Sequence, residues 1–120
     1  MLNMTTYKQG QVVLVPFPMT DLEGTKQRPA VVVSAYWYNT SRPDCILVAV
    51  TSAVPQELDR DMVSIHGAEV KDAGLRQPSV VKAGKIFTVE QDRILKPLGK
   101  LSRGSLERVL AGMRAAISDS

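Results

Sequence analysis

The sequence holds one cysteine and one histidine in 120 residues. A lone thiol, Cys45, excludes an internal disulfide and a multi-cysteine metal centre. A lone imidazole, His66, leaves a catalytic triad and a His-rich zinc site short of members. No stretch approaches the ~20 consecutive apolar residues of a membrane span. The opening Met-Leu-Asn-Met-Thr-Thr-Tyr has neither the basic nor the apolar region of a signal peptide. Missing export signals and disulfides together set the expectation of a reducing cytoplasm, with no membrane partner. Internal repeats and low-complexity linkers are absent too, so residues 1–120 read as a single domain.

What is present is ordinary in bulk. Hydrophobic residues make up 44% and charged residues 22%, which points to neither disorder nor a fibrous repeat. A chain of this length buries roughly two-thirds of its unfolded surface, enough for one sizeable core. Fifteen Lys and Arg against twelve Asp and Glu leave a net charge of +3. That mild excess is compatible with a polyanionic partner without requiring one. Lys26 and Arg28 bracket one loop, while Arg76, Lys82 and Lys85 cluster in a later stretch. Were the two clusters to meet, they would form a phosphate-sized positive patch. Apart, they are solvated surface.

Gln11-Val-Val-Leu-Val-Pro16 is short, apolar and β-branched, and predicts a strand ended by Pro16 and Pro18. Residues 19–28 predict a loop. Pro29–Ala35 and Cys45–Thr51 predict strands that are apolar on both sides, hence central. Residues 38–44 and 67–78 predict loops, and Met62–Ile65 a further strand. Ser79–Ala83 and Lys85–Val89, split by Gly84, predict one long strand with a bulge. Thr88-Val-Glu-Gln91 has the capping-box pattern and predicts a short helix stopped by Pro97. Ser102 can cap a longer helix carrying Leu106, Val109, Leu110, Met113 and Ile117 on one face. Strands first and helix last predict a mainly β fold with a C-terminal helix: a small antiparallel barrel or half-barrel.

The features that could carry chemistry sit at strand ends. Arg28 precedes Pro29, which restricts it to extended backbone and gives its guanidinium a defined launch direction. Thr51 and Ser52 offer adjacent hydroxyls at the exit of the third strand. Ser79 offers another at the start of the fifth, with Lys82 three residues on. An arginine, three hydroxyls and a lysine are what a phosphate site on an oligonucleotide needs. Each has a plainer reading: a surface arginine, a turn, and lysines that guard an edge strand. Cys45 reads as an inert buried thiol, and His66 as a turn residue. Tyr36, Trp37 and Tyr38 could stack on bases or pack in a core or dimer.

Taken in order, Gly10-Gln-Val-Val-Leu-Val-Pro-Phe-Pro, Arg28-Pro-Ala-Val-Val-Val-Ser34, Val50-Thr-Ser52, Gly74-Leu-Arg-Gln-Pro-Ser79, Lys85-Ile-Phe-Thr-Val89 and Leu98-Gly-Lys-Leu101 resemble the MazF/PemK family of toxin–antitoxin toxins. The likeness runs from about Tyr7 to Ile117. It implies an SH3-like barrel, a homodimer, and a ribosome-independent endoribonuclease that uses no metal or other cofactor and cleaves single-stranded RNA. It also implies a cognate antitoxin occupying the RNA groove, with operator DNA met only through the antitoxin complex. The family's arginine and threonine map to Arg28 and Thr51, the catalytic pair. Ser52, Ser79, Lys82 and Lys26 map to substrate binding. Gly84 departs from the pattern, because some members carry an acid–base carboxylate there. If the chain cleaves, Arg28 must do more, or Asp21 or Glu23 must reach in from the first loop.

RNA supplies its own nucleophile, the 2′-hydroxyl, so a missing Ser–His pair is no obstacle. A protein need only align that oxygen with the leaving 5′-oxygen and neutralise developing charge. The expected products carry 2′,3′-cyclic phosphate and 5′-hydroxyl ends. Two other readings compete: a non-enzymatic toxin that blocks a protein target such as gyrase, since gyrase poisons share a similar barrel, and a catalytically weak nucleic-acid-binding module.

Overall fold

The computed structural model describes residues 6–18 and 25–119. Six strands, β1 (Gln11–Pro18), β2 (Thr25–Val32), β3 (Asp44–Thr51), β4 (Met62–Ile65), β5 (Ser79–Glu90) and β6 (Lys96–Lys100), form one antiparallel sheet in the order β4-β5-β3-β2-β1-β6. Among the described residues there are also three α-helices: α1 (Tyr36–Ser41), α2 (Glu69–Asp72) and α3 (Arg103–Ile117). The sheet is a curled half-barrel with α3 against one face. This is the mainly β architecture that the strand-then-helix order predicts.

Both sheet faces are buried, which explains the nearly continuous apolar runs of β2 and β3. On one face Val12, Val31, Val48, Val50, Val63, Ile65, Val81 and Ala83 form a cluster closed by Val109, with Leu106, Leu110 and Met113 packed against it. On the other, Val13, Val15, Ala30, Val32, Cys45 and Leu47 gather with Tyr7 and Ile94. Residues one apart on a strand therefore belong to different clusters, as the two-residue period requires. Burial, then the charge of Asp44, pushes the Cys45 thiol up to about 11, so it is inert at neutral pH. The α3 stripe holds except at Ile117, which is 74% exposed in the last turn.

Several boundaries differ from expectation. β1 runs through both prolines to Pro18, and β2 starts at Thr25 rather than Pro29, as Pro16 pairs with Gln27 and Phe17 with Lys26. β1 meets β6 only as far as Leu14, so beyond it the prolines' missing N–H groups face an open edge and cost no ladder bond. Residues 38–41 of the expected loop belong instead to α1, which also carries the aromatic run. Its Asn39 is buried, accepts from Ser34 Oγ at 2.5 Å and donates to the Tyr7 carbonyl at 2.8 Å. The capping-box helix does not form. Thr88 stays in β5 opposite Ile46, and Gln91 opens a single 3-10 turn, Gln91–Arg93. The Gln91 amide is drawn inward instead, donating to the Asn39 carbonyl at 2.7 Å and accepting from the Tyr7 amide at 3.2 Å. A buried network thus outbids a local cap. Pro97 lies in β6, an edge strand, at a register shift opposite Val13. Gly84 does mark a bulge, where the β3 partner jumps from Ile86 to Lys82. β4 flanks β5 as far as Lys82, so Lys82 does not guard an edge; beyond it β5 has only β3 beside it.

Within the expected loop 67–78, α2 ends in a Schellman motif: the Leu75 amide donates to Val70 and the Gly74 amide to Lys71. Gly74 has φ +74° and lies against the Leu98 backbone, so a methyl group there would overlap the Leu98 carbonyl. Glu69 ties α2 to α3. Its carboxylate accepts from the Ser102 amide at 2.9 Å and from Ser105 Oγ at 2.8 Å, while Ser102 caps α3 by accepting from the Ser105 amide.

Two stability outcomes follow from these contacts. Gly74→Ala should lower unfolding free energy by about 2 kcal/mol or more in urea titration, because positive φ and a backbone overlap act together. Glu69→Gln should cost about 1 kcal/mol at neutral pH, with the charged acceptor lost at a partly exposed site. Burial alone would raise the Glu69 pKa. The Ser102 amide, the Ser105 and Ser102 side chains and Arg108 outweigh it and hold the carboxyl below its ordinary 4.5. A lowered folded-state pKa means the contribution is present above 4.5 and lost as pH falls through the lower folded value. The gap between wild type and variant should therefore close in acid.

Candidate active site

β2 and β3 pair antiparallel, with Ala30 opposite Ala49, Val31 opposite Val48 and Val32 opposite Leu47. By the two-residue period of a strand, Arg28 lies on the face of Ala30 and Val32, and Thr51 on the same face with Ala49 and Leu47. On the far side of β3, Thr51 pairs with Val80 and Ala49 with Lys82, so Lys82 stands diagonally from Thr51 on the same face. Lys26, opposite Phe17, extends the row and is exposed. Arg28, Thr51 and Lys82 are each half-buried. Among the described residues the Arg28 guanidinium has no hydrogen bond and no carboxylate partner. Asp21 and Glu23 lie outside the described residues.

The intervening residues point the other way. Leu14, Gln27, Pro29, Val50 and Ser52 line a cavity of about 350 Å³ together with Gly74, Leu75, Arg76, Gln77, Ser79, Lys96 and Leu98. Arg28 lines it as well. Among the described residues the lining carries three cations, Arg28, Arg76 and Lys96, and no carboxylate. A larger cavity of about 730 Å³ lies elsewhere, against Phe17 and Phe87, but sets Asp44 and Glu90 against Arg93 and so repels an anion. Its size does not make it the better phosphate site.

The hydroxyls differ in what they can still do. Thr51 Oγ1 accepts from the Ala53 amide at 3.0 Å, which leaves its hydrogen free to donate. Ser52 is exposed and uncommitted among the described residues. Ser79 is 4% exposed, and its Oγ donates to the Gln77 carbonyl at 2.9 Å. A carbonyl can only accept, so the Ser79 hydrogen is spent and only oxygen lone pairs remain.

Of the residues named from sequence, Arg28, Ser52 and Ser79 meet at one cavity. Thr51 and Lys82 share the opposite face, and Lys26 lies at its margin. Sequence reasoning missed Gln27, Gln77 and Lys96, because their role depends on which strand ends converge. It also missed Asp61. The Gly84 amide donates to Asp61 Oδ2 at 3.2 Å, and a side chain at position 84 would overlap that oxygen. A carboxylate thus occupies the neighbourhood where Gly84 supplies none, from a position 23 residues away.

The architecture defines a class. An endoribonuclease in complex with its cognate antitoxin from a Mycobacterial species superposes with a TM-score of 0.74 at 19% identity, over 95% of this chain and 97% of that one. A MazE–MazF structure from Deinococcus radiodurans gives 0.73 at 20% identity, over 98% and 100%. The Mycobacterium tuberculosis toxin MazF-mt6 gives 0.66 at 16%, over 87% and 94%. At such identities the likeness concerns the fold. No curated protein matches the chain in sequence. The family model for the PemK-like, MazF-like toxins of type II toxin–antitoxin systems matches residues 8–117, and the chain belongs to that family. No helix among the described residues is long and apolar enough to cross a membrane.

Proposed function

We propose that this chain is the toxin of a toxin–antitoxin pair and acts as an endoribonuclease on single-stranded RNA. One observation carries the reading: a half-buried guanidinium with no anionic partner among the described residues and a hydroxyl free to donate lie on the same face of two neighbouring strands. Family membership and relatives described as endoribonucleases support it. A cognate antitoxin, a homodimer, and operator DNA met only through the antitoxin complex belong to the same proposal, as does a cytoplasmic site of action.

The 2′-oxygen attacks the adjacent phosphorus. The new bond is 2′-O–P, and the P–O5′ bond breaks in line with it. The 2′-hydroxyl loses its proton and the 5′-oxygen gains one, which gives a 2′,3′-cyclic phosphate and a 5′-hydroxyl. Arg28 offers a planar fork to the phosphoryl oxygens as charge builds. Thr51 donates its remaining hydrogen to one of those oxygens, its own oxygen being fixed by the Ala53 amide. Lys82 and Lys26 line the path of the flanking phosphates on the Thr51 face, and Ser52 meets the substrate from the cavity on the other.

Incubation with a long single-stranded RNA in EDTA tests the reading. Wild type should cleave without added metal and leave cyclic-phosphate ends. Arg28→Ala should lose on the order of 10²–10³ in rate, the size of one lost transition-state donor. Thr51→Val should lose roughly tenfold or more. Undiminished cleavage by Arg28→Ala would remove it from the mechanism. Binding without cleavage would favour a nucleic-acid-binding module, and neither activity would favour a toxin that blocks a protein target.

A further inference from the structure

The 350 Å³ cavity behind the Arg28–Thr51 pair has a lining that phosphate chemistry does not account for. Its walls include Leu14, Pro29, Val50, Leu75 and Leu98, apolar surfaces against which a flat ring can lie. Its polar edge includes the Gln27 and Gln77 amides and Ser79. Ser79 is the informative member. It is buried, it opens into the cavity, and its hydrogen is committed to the Gln77 carbonyl. A phosphate oxygen accepts hydrogen bonds and donates none, so it has nothing to offer a hydroxyl that can only accept. Turning the hydroxyl toward a phosphate would surrender the Gln77 bond. A nucleobase amino group has the matching polarity.

We propose that this cavity is a base-reading subsite in which Ser79 Oγ accepts from the exocyclic amino group of one nucleotide flanking the scissile phosphate. The inference rests on the nuclease reading for its substrate. It reassigns Ser79 from phosphate binding to base selection. Adenine, cytosine and guanine carry an amino group, and uracil does not. The one ring donor of uracil, N3–H, lies between two carbonyl oxygens that would face the Ser79 lone pairs. Uracil is therefore the base this position disfavours. Arg28, at the border of the cavity, holds the phosphate of the nucleotide whose base enters.

A random-sequence RNA and its uncleavable 2′-deoxy counterpart test this together, with cleaved ends and retained strands both sequenced. Wild type should deplete uracil at one position in both pools. Ser79→Ala should shrink that discrimination about tenfold, the worth of one hydrogen bond, while preferences at other positions persist. Ser79→Thr, which keeps the hydroxyl, should retain it. Melting curves for both variants identify any loss of folding. An even loss of cleavage across all sequences in Ser79→Ala, with uracil depletion intact, would overturn the proposal. So would a wild type with no uracil-depleted position. If wild type leaves RNA whole yet retains the 2′-deoxy pool with the same bias, cleavage fails and the subsite stands. If it retains nothing, both fall.

Discussion

The register between β2 and β3 is the constraint on which the rest of the structure depends. Ala30 opposite Ala49 puts Arg28 and Thr51 on one face and turns Gln27, Pro29, Val50 and Ser52 to the other. A slip of one residue would exchange every side chain between faces. In most sheets such a slip is penalised because apolar residues would reach water. Here both faces of β2 and β3 are apolar at their centre, so burial alone discriminates weakly. The register is pinned at the far end instead. Ser34 Oγ accepts from the Ile46 amide at 2.9 Å, while the Val33 amide donates to the Ile46 carbonyl at 2.9 Å. Ser34 is in turn held by the buried Asn39 of α1, and Asn39 by Tyr7 and Gln91. A polar network that touches no part of the candidate site thus decides which residues the site contains.

A second constraint is electrostatic. A net charge of +3 is too small to make a chain a polyanion binder. What matters is that the described acidic residues are elsewhere. Glu57–Asp61 and Glu69–Asp72 lie outside the cavity lining, and Glu69 is spent on joining α2 to α3. Among the described residues an ion pair is found only between Arg103 and Glu107, both largely exposed on α3. Arg28, Arg76 and Lys96 therefore add their fields without a counter-charge among the described lining residues. Partial burial strengthens that effect for Arg28, since solvent screens it less.

The fold was legible where apolar patterning speaks alone. The strands at 11–16, 45–51 and 62–65, the Gly84 bulge and the Ser102 cap are all visible in the residues. Legibility failed where a side chain bonded far along the chain. Thr88 and Gln91 satisfy a capping box locally, but Gln91 has better partners at Asn39 and Tyr7, which no window around residue 90 contains. Prolines 16, 18 and 97 read as terminators, yet each lies in a strand, because an open edge needs no donor from them. The site divided the same way. Arg28, Thr51, Ser52 and Ser79 stand out by residue type at strand ends. Gln27, Gln77, Lys96 and Asp61 carry no such mark, and only convergence in space reveals them.

Residue type also misled in one instructive respect. Thr51, Ser52 and Ser79 form a single class when read as a sequence: three hydroxyls, each able to donate. Folding separates them by what each already bonds. An amide can only give, so the Ala53 N–H takes the Thr51 oxygen and leaves its hydrogen for an anion. A carbonyl can only take, so Gln77 consumes the Ser79 hydrogen and leaves lone pairs for a donor. Exposure separates Ser52, which water can satisfy either way. Two side chains of one chemistry, a strand apart, are thereby assigned opposite polarities before any ligand arrives. Both assignments cost nothing extra to hold, because the backbone bonds that make them also finish β3 and begin β5. The strand ends that close the sheet and the polarity of the candidate site are one feature of the fold.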